Sequence, residues 1–111
     1  MVSVFRGIRE GSRCSVTVNG KPLDPRRNLQ DSAAEGFDWA SQGAGATQLA
    51  LAILANHAGD DVALRVHRKF ARAVIAGLPF EGWTLKSDDV DMALSVLETQ
   101  PLSGAFPRPR T

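Results

Sequence analysis

Apolar and polar residues alternate at the start of the chain and later fall into helical spacing, which predicts a strand-forming opening and a largely helical remainder. Val2-Ser3-Val4-Phe5-Arg6-Gly7-Ile8-Arg9 and Arg13-Cys14-Ser15-Val16-Thr17-Val18 are rich in β-formers and are separated by Glu10-Gly11-Ser12, so they predict an antiparallel hairpin. In the second strand Cys14, Val16 and Val18 share one face and Ser15 and Thr17 the other, the pattern of a half-buried strand. Asn19-Gly20 follows, and a type I′ turn needs two such residues because both must accept positive φ. Lys21-Pro22-Leu23 can pair back only briefly, since proline offers no N–H to a ladder.

From Asp24 to Thr47 the apolar periodicity lapses, and Pro25, Asn28, Asp31, Ser32, Gly36, Gly43 and Gly45 favour turns. A long ordered loop is expected, with Leu29, Phe37 and Trp39 pinning it to the core. Helical character begins at Ala46 or Thr47 and runs to Ala58, with Gly59 as a terminating residue. This helix is apolar nearly all round but far shorter than a membrane span, so it is predicted to be the central, most buried one.

Asp60 is placed to cap a second helix from Asp61 to Leu78, where Pro79 stops it. Val62, Val66, Phe70 and Val74 recur every four residues along it, and Ala63, Ala71, Ile75 and Leu78 widen the stripe. Trp83-Thr84-Leu85 predicts a short strand for the same sheet. Ser87 is the expected cap of a third helix, Asp88 to Glu98, whose apolar face is Val90, Leu94 and Leu97 with Ala93. Thr99 to Thr111, with three prolines and two arginines, has the composition of an extended tail. The predicted class is α+β: a small antiparallel sheet, the N-terminal hairpin plus short strands, packed against a buried helical hairpin and a third C-terminal helix. Residues 1–98 are expected to form one domain and 99–111 a mobile tail.

Composition narrows this picture. A chain of 111 residues, 43% hydrophobic and 23% charged, suits one domain with an ordinary core. No apolar run approaches the roughly 20 residues of a membrane helix, and the first residues lack a signal-peptide stretch, so a cytoplasmic protein is expected. A single cysteine, Cys14, excludes an internal disulfide framework and a cysteine-built zinc site. The net charge is +1, yet the charges are blocked: +4 over 1–30, −5 over 31–64, +4 over 65–72, −4 over 73–100 and +2 over 101–111. Separate positive and negative surfaces would suit a docking partner at least as well as a small substrate.

Several groups could carry chemistry. Arg65, Arg68, Lys69 and Arg72 are spaced three and four apart, which gathers them within about 100° of arc on one helical face. They read either as a partner-binding surface or as a solvated face. Gly43, Gly45 and Thr47 stand where a loop enters a helix, so exposed N–H groups there could hold an anion; the simpler reading is that the glycines permit a close approach. Neither nucleotide-binding glycine motif is complete. His57 and His67 lie on different helices without companion ligands, so no metal or other cofactor is expected. Asp60-Asp61 and Asp88-Asp89 fall at helix starts, where capping accounts for them, and no catalytic role is assigned. Phe37 and Trp39, with Phe80 and Trp83, could anchor an interface if exposed, although the demands of the core favour structural use.

Taken in order, Val16-x-Val18-Asn19-Gly20-Lys21-Pro22-Leu23-Asp24-Pro25, Phe37-x-Trp39, Gly43-x-Gly45, Gln48-Leu49-Ala50-Leu51-Ala52, Leu78-Pro79 and Trp83-Thr84-Leu85 resemble an uncharacterised family of small bacterial and phage proteins known only as a domain of unknown function. The resemblance covers most of residues 4–92. It implies a compact α+β domain often carried by phages and mobile elements, with no catalytic residues to transfer. The chain departs from the pattern at Ala40 and Ala46, where glycine and proline are usual.

Two readings of function follow. The first is a small non-enzymatic binding module, carried by a phage or mobile element, that docks on a larger protein or complex; inhibition of a host defence system, in the manner of an anti-CRISPR protein, is one form of this. The second is a nucleic-acid-binding accessory protein that uses the basic face of helix two.

Overall fold

The computed structural model describes residues 2–31 and 36–99. Its elements are β1 (Val4–Glu10), β2 (Arg13–Val18), β3 (Lys21–Pro22), α1 (Ala44–Ala58), α2 (Asp60–Ala73), a 3-10 turn (Ile75–Gly77), β4 (Gly82–Lys86) and α3 (Ser87–Thr99). The strands form one antiparallel sheet in the order β3-β2-β1-β4, so the last strand in the chain pairs with the first.

Gly11-Ser12 closes the β1–β2 hairpin, with Glu10 opposite Arg13 and Phe5 opposite Val18. Asn19 (φ 52°) and Gly20 (φ 84°) both take positive φ between Val18 and Lys21, as a type I′ turn demands. Pro22 limits β3 to two residues. The register sets Phe5, Gly7 and Arg9 of β1 on the same face as Val18, Val16 and Cys14 of β2 and Leu85 and Trp83 of β4. That face meets the core; Arg6, Ile8, Glu10, Ser15, Thr84 and Lys86 on the other are exposed.

α1 is the centre of the molecule. Every residue from Gln48 to Ala55 is buried, and Leu49 and Ile53 have no exposed surface. Side chains of the sheet and all three helices join it in one apolar cluster that includes Trp39, Phe70, Ile75, Val90, Leu94 and Leu97. Burial at roughly 25 cal/mol per Å² of apolar surface makes this cluster the main stabilising term. The long loop is pinned as its pattern predicts: Trp39 is buried, and Leu29 and Phe37 pack partly against the cluster.

Helix boundaries differ from expectation in four places. α1 starts at Ala44, two or three residues earlier than the expected Ala46 or Thr47, because Gly43 is the N-cap and its carbonyl accepts the first helical bond from Thr47 N–H at 3.1 Å. Gly45 therefore lies within the first turn. A Cβ there would come within 2.7 Å of Asp38 Cβ and 3.0 Å of the Gly36 carbonyl oxygen, so close packing overrides its poor helix propensity.

α2 ends at Ala73, not Leu78. Val74 leaves the helical path, and Ile75 turns its carbonyl to the N–H groups of Ala40 and Leu78, at 3.0 and 3.2 Å. Leu78, which precedes Pro79, is extended. Third, Gly59 rather than Asp60 occupies the N-cap of α2, and Asp60 instead receives a bond from Arg26. Fourth, α3 runs from Ser87 to Thr99, so Ser87 is its first residue rather than its cap: the Ser87 hydroxyl accepts Ser3 N–H at 3.1 Å, while Asp89 Oδ2 accepts Lys86 N–H at 2.9 Å. The expected tail beyond Thr99 lies outside the described residues.

Candidate functional site

α2 is amphipathic by sequence, and its packing fixes which side meets solvent. Ala63, Val66, His67, Phe70 and Ala71 are buried, which turns Arg65, Arg68 and Arg72 outward and leaves Lys69 half-buried on the flank. The four cations thus share a face, as their spacing predicts. They are not equivalent. Arg65 Nη2 meets Glu98 Oε2 of α3 at 2.5 Å and helps tie the two helices, whereas Arg68, Lys69 and Arg72 make no ion pair among the described residues. Asp60 and Asp61 in the first turn and Arg72 in the last complement the helix dipole. Neighbouring cations on an exposed surface repel one another modestly, so Arg68 and Lys69 bring no evident gain to folding and Arg72 brings only its small interaction with the dipole.

The other candidates are placed differently. Thr47 turns its hydroxyl back to the Gly43 carbonyl at 3.2 Å, Gly43 N–H reaches Ser41 Oγ at 3.5 Å, and Gly45 is pressed against Asp38. The stretch Gly43-Gly45-Thr47 serves as a packed helix entry beside a carboxylate. Trp39, considered as an interface aromatic, is only 1% exposed, and its Nε1–H donates to the Phe80 carbonyl at 2.8 Å. Phe37 is half-buried against the core. The core claimed both because the long loop has few other apolar residues to hold it down.

A cluster that sequence reasoning passed over surrounds Arg9. Its side chain, 12% exposed, donates from Nε to the Phe80 carbonyl at 2.8 Å and from Nη2 to Asp38 Oδ1 at 2.9 Å and the Trp39 carbonyl at 3.4 Å. The guanidinium lies 3.8 Å from the Phe80 ring centroid and 5.0 Å from that of Trp39. Strand parity held the signal: Phe5, Gly7 and Arg9 alternate on one face, and a cation on the inward face needs partners.

Burial alone would raise the pKa of Asp38, but bonds from Arg9 and from the Trp39 N–H outweigh it and hold the carboxyl below its ordinary value. Cys14 Sγ lies 3.9 Å from Asp38 Oδ1; burial raises its thiol pKa, the Asp38 charge adds to this, and Arg9 opposes it. A raised thiol pKa disfavours the nucleophilic thiolate.

His67 is buried with Nδ1 2.9 Å from the Ala63 carbonyl oxygen, and His57 Nε2 lies 2.6 Å from Asp91 Oδ1, which ties the end of α1 to α3. No group of three metal-ligating side chains occurs among the described residues, and none of their helices is long and apolar enough to cross a membrane.

Sheet, buried helical hairpin and C-terminal helix together define a small α+β domain with a basic helical face. The sequence profile of a family of unknown function (DUF6166) matches residues 5–96, and the chain belongs to that family. No curated protein and no solved structure shows a significant match to it.

Proposed function

We propose that the protein is a non-enzymatic binding module that docks on an acidic surface of a larger protein through the exposed face of α2. The observation that carries this reading is the set of Arg68, Lys69 and Arg72, presented together and without ion-pair partners among the described residues. Such cations steer an acidic partner and fix its register. Carriage by a phage or mobile element, and a host defence complex as the partner, extend the proposal and rest on the sequence resemblance alone.

The test pairs the wild-type chain with Arg68→Glu/Arg72→Glu in affinity capture from the cells that carry it. Surface substitutions of this kind leave stability within about 0.5 kcal/mol of wild type. Loss of the captured protein with an unchanged melt supports docking through this face, and capture that survives the reversal rejects it. Titration with single- and double-stranded nucleic acid serves as the counter-experiment: binding that weakens steeply with salt and is lost on the double reversal would replace the protein partner with a phosphate backbone.

A further inference from the structure

The loop after β3 forms a second feature, away from the basic face. Leu23, Asp24 and Arg26 from this loop, with Ala52 and Asn56 from α1, line a cleft of about 170 Å³. Leu23 and Ala52 are buried and apolar, whereas Asp24 and Asn56 are exposed and Arg26 is half-buried. The volume is below the roughly 300 Å³ at which pockets for drug-sized ligands begin, so any occupant is small.

The loop is held in place from beneath. Gln48, fully buried in α1, donates its side-chain amide to the carbonyls of Pro25 at 2.6 Å and Gln30 at 2.9 Å. The Arg26 carbonyl accepts from Leu29 N–H at 3.0 Å and Gln30 N–H at 3.4 Å. Arg26 itself has φ 55°, a left-handed conformation that is strained for a non-glycine residue.

An arginine therefore stands where glycine or asparagine would be more comfortable, and its guanidinium is oriented. Nη2 donates to Asp60 Oδ2 at 3.0 Å and Nε to Asn28 Oδ1 at 3.4 Å. These bonds use two of its five N–H donors, and Nη1 has no partner among the described residues. Asp24 spends Oδ1 on Arg26 N–H at 2.9 Å, while its Oδ2 and the Asn56 amide have no partner among the described residues.

One cleft thus offers an open carboxylate oxygen, open guanidinium donors and a free amide, with almost no apolar surface exposed by Leu23 and Ala52 beneath them. We infer that it binds a small zwitterion of the free α-amino-acid class. The ligand's ammonium pairs with Asp24 and its carboxylate takes Arg26 and the Asn56 amide, while the small volume admits only a short side chain. A ligand carrying either charge alone leaves one side of the cleft unmatched. This inference does not depend on the docking role of α2.

Titration calorimetry of the full chain against glycine and free amino acids with short side chains tests it. Saturable binding is expected for at least one, weakened tenfold or more when its amine is acetylated or its carboxylate amidated. Asp24→Asn retains the oxygen that accepts Arg26 N–H but removes the charge, and Arg26→Gly removes the guanidinium while relieving the backbone. Each should weaken binding at least tenfold with the cooperative melt retained. Absence of saturable binding across the panel overturns the inference, as does affinity unchanged in both variants. A variant that fails to melt cooperatively is set aside, and the acetylated and amidated ligands then decide on wild-type protein.

Discussion

The indole of Trp83 lies against the α-carbon of Gly7, its partner across the β1–β4 ladder, so closely that a methyl group on Gly7 would overlap Cε2 and Nε1 of the ring. Glycine at position 7 is required by contact rather than by dihedral angle. It lets the ring lie over the sheet and meet Trp39 edge-on, with centroids 5.5 Å apart. Gly7→Ala is therefore expected to destabilise the protein by about 2 kcal/mol, in the range for overpacking a core, as measured by chemical denaturation. Gly7→Ala with Trp83→Leu should recover part of this loss relative to the sum of the single changes. Wild-type stability in Gly7→Ala would show that the ring moves freely.

Arg9 links β1 to two segments remote in sequence, through Phe80 on one side and Asp38 and Trp39 on the other. Arg9→Ala should cost about 2–3 kcal/mol, because it leaves the Asp38 carboxylate and two carbonyls short of a donor. Arg9→Lys should recover little of that, since an ammonium reproduces neither the fork nor the stacking on Phe80. Full rescue by lysine in the same denaturation experiment would reduce the cluster to simple charge pairing.

Acid sensitivity follows from the same cluster. The Asp38 carboxyl titrates at a lower pH in the folded chain than in the unfolded one. Its contribution is therefore complete above the unfolded value, about 4, and is lost as the pH falls through the lower folded value. Thermal melts from pH 7 down to pH 2 should show a decline that begins below about pH 4 and is shallower in Asp38→Asn, whose amide does not titrate. Identical slopes in the two proteins would assign the acid limb to other groups.

Ala40 has φ 59° at the point where its N–H donates to the Ile75 carbonyl. Glycine adopts this left-handed conformation without strain, whereas the alanine Cβ does not. Ala40→Gly should raise stability by up to about 1 kcal/mol, because relief of left-handed strain outweighs the added freedom of the unfolded chain. A lower melting midpoint for the variant would mean that the half-buried Ala40 methyl packs well enough to offset the strain.

The sequence was most legible where a local rule admits one solution. Asn19-Gly20 has one favourable hairpin turn, and the unbroken apolar run from Leu49 to Ala55 had to become the buried helix. The phase of the α2 cations was equally legible because helical spacing alone decides it. Their inequality was not: nothing near Arg65 in sequence points to Glu98, 33 residues away. Asp60 likewise looks like a cap until Arg26, 34 residues earlier, takes its carboxylate. The cleft beside Arg26 was illegible for the same reason, since its lining comes from two segments that touch only once the buried Gln48 holds the loop onto α1.

The position of β1 inside the sheet also governs how the molecule can assemble. Ser3 and Ser87 exchange two hydrogen bonds across a separation of 84 residues, and β1 has β2 on one side and β4 on the other. β1 is synthesised before both of its neighbours and can complete only half of its ladder with its hairpin partner; the other half waits until residues 82–86 exist. Closing so long a loop carries an entropic cost that local contacts do not repay, so folding is expected to be a late, all-or-none event whose rate depends on the β1–β4 pairing. Until that pairing forms, the inner face of β1 and the apolar surface of α1 remain open to any chaperone or protease that meets the growing chain.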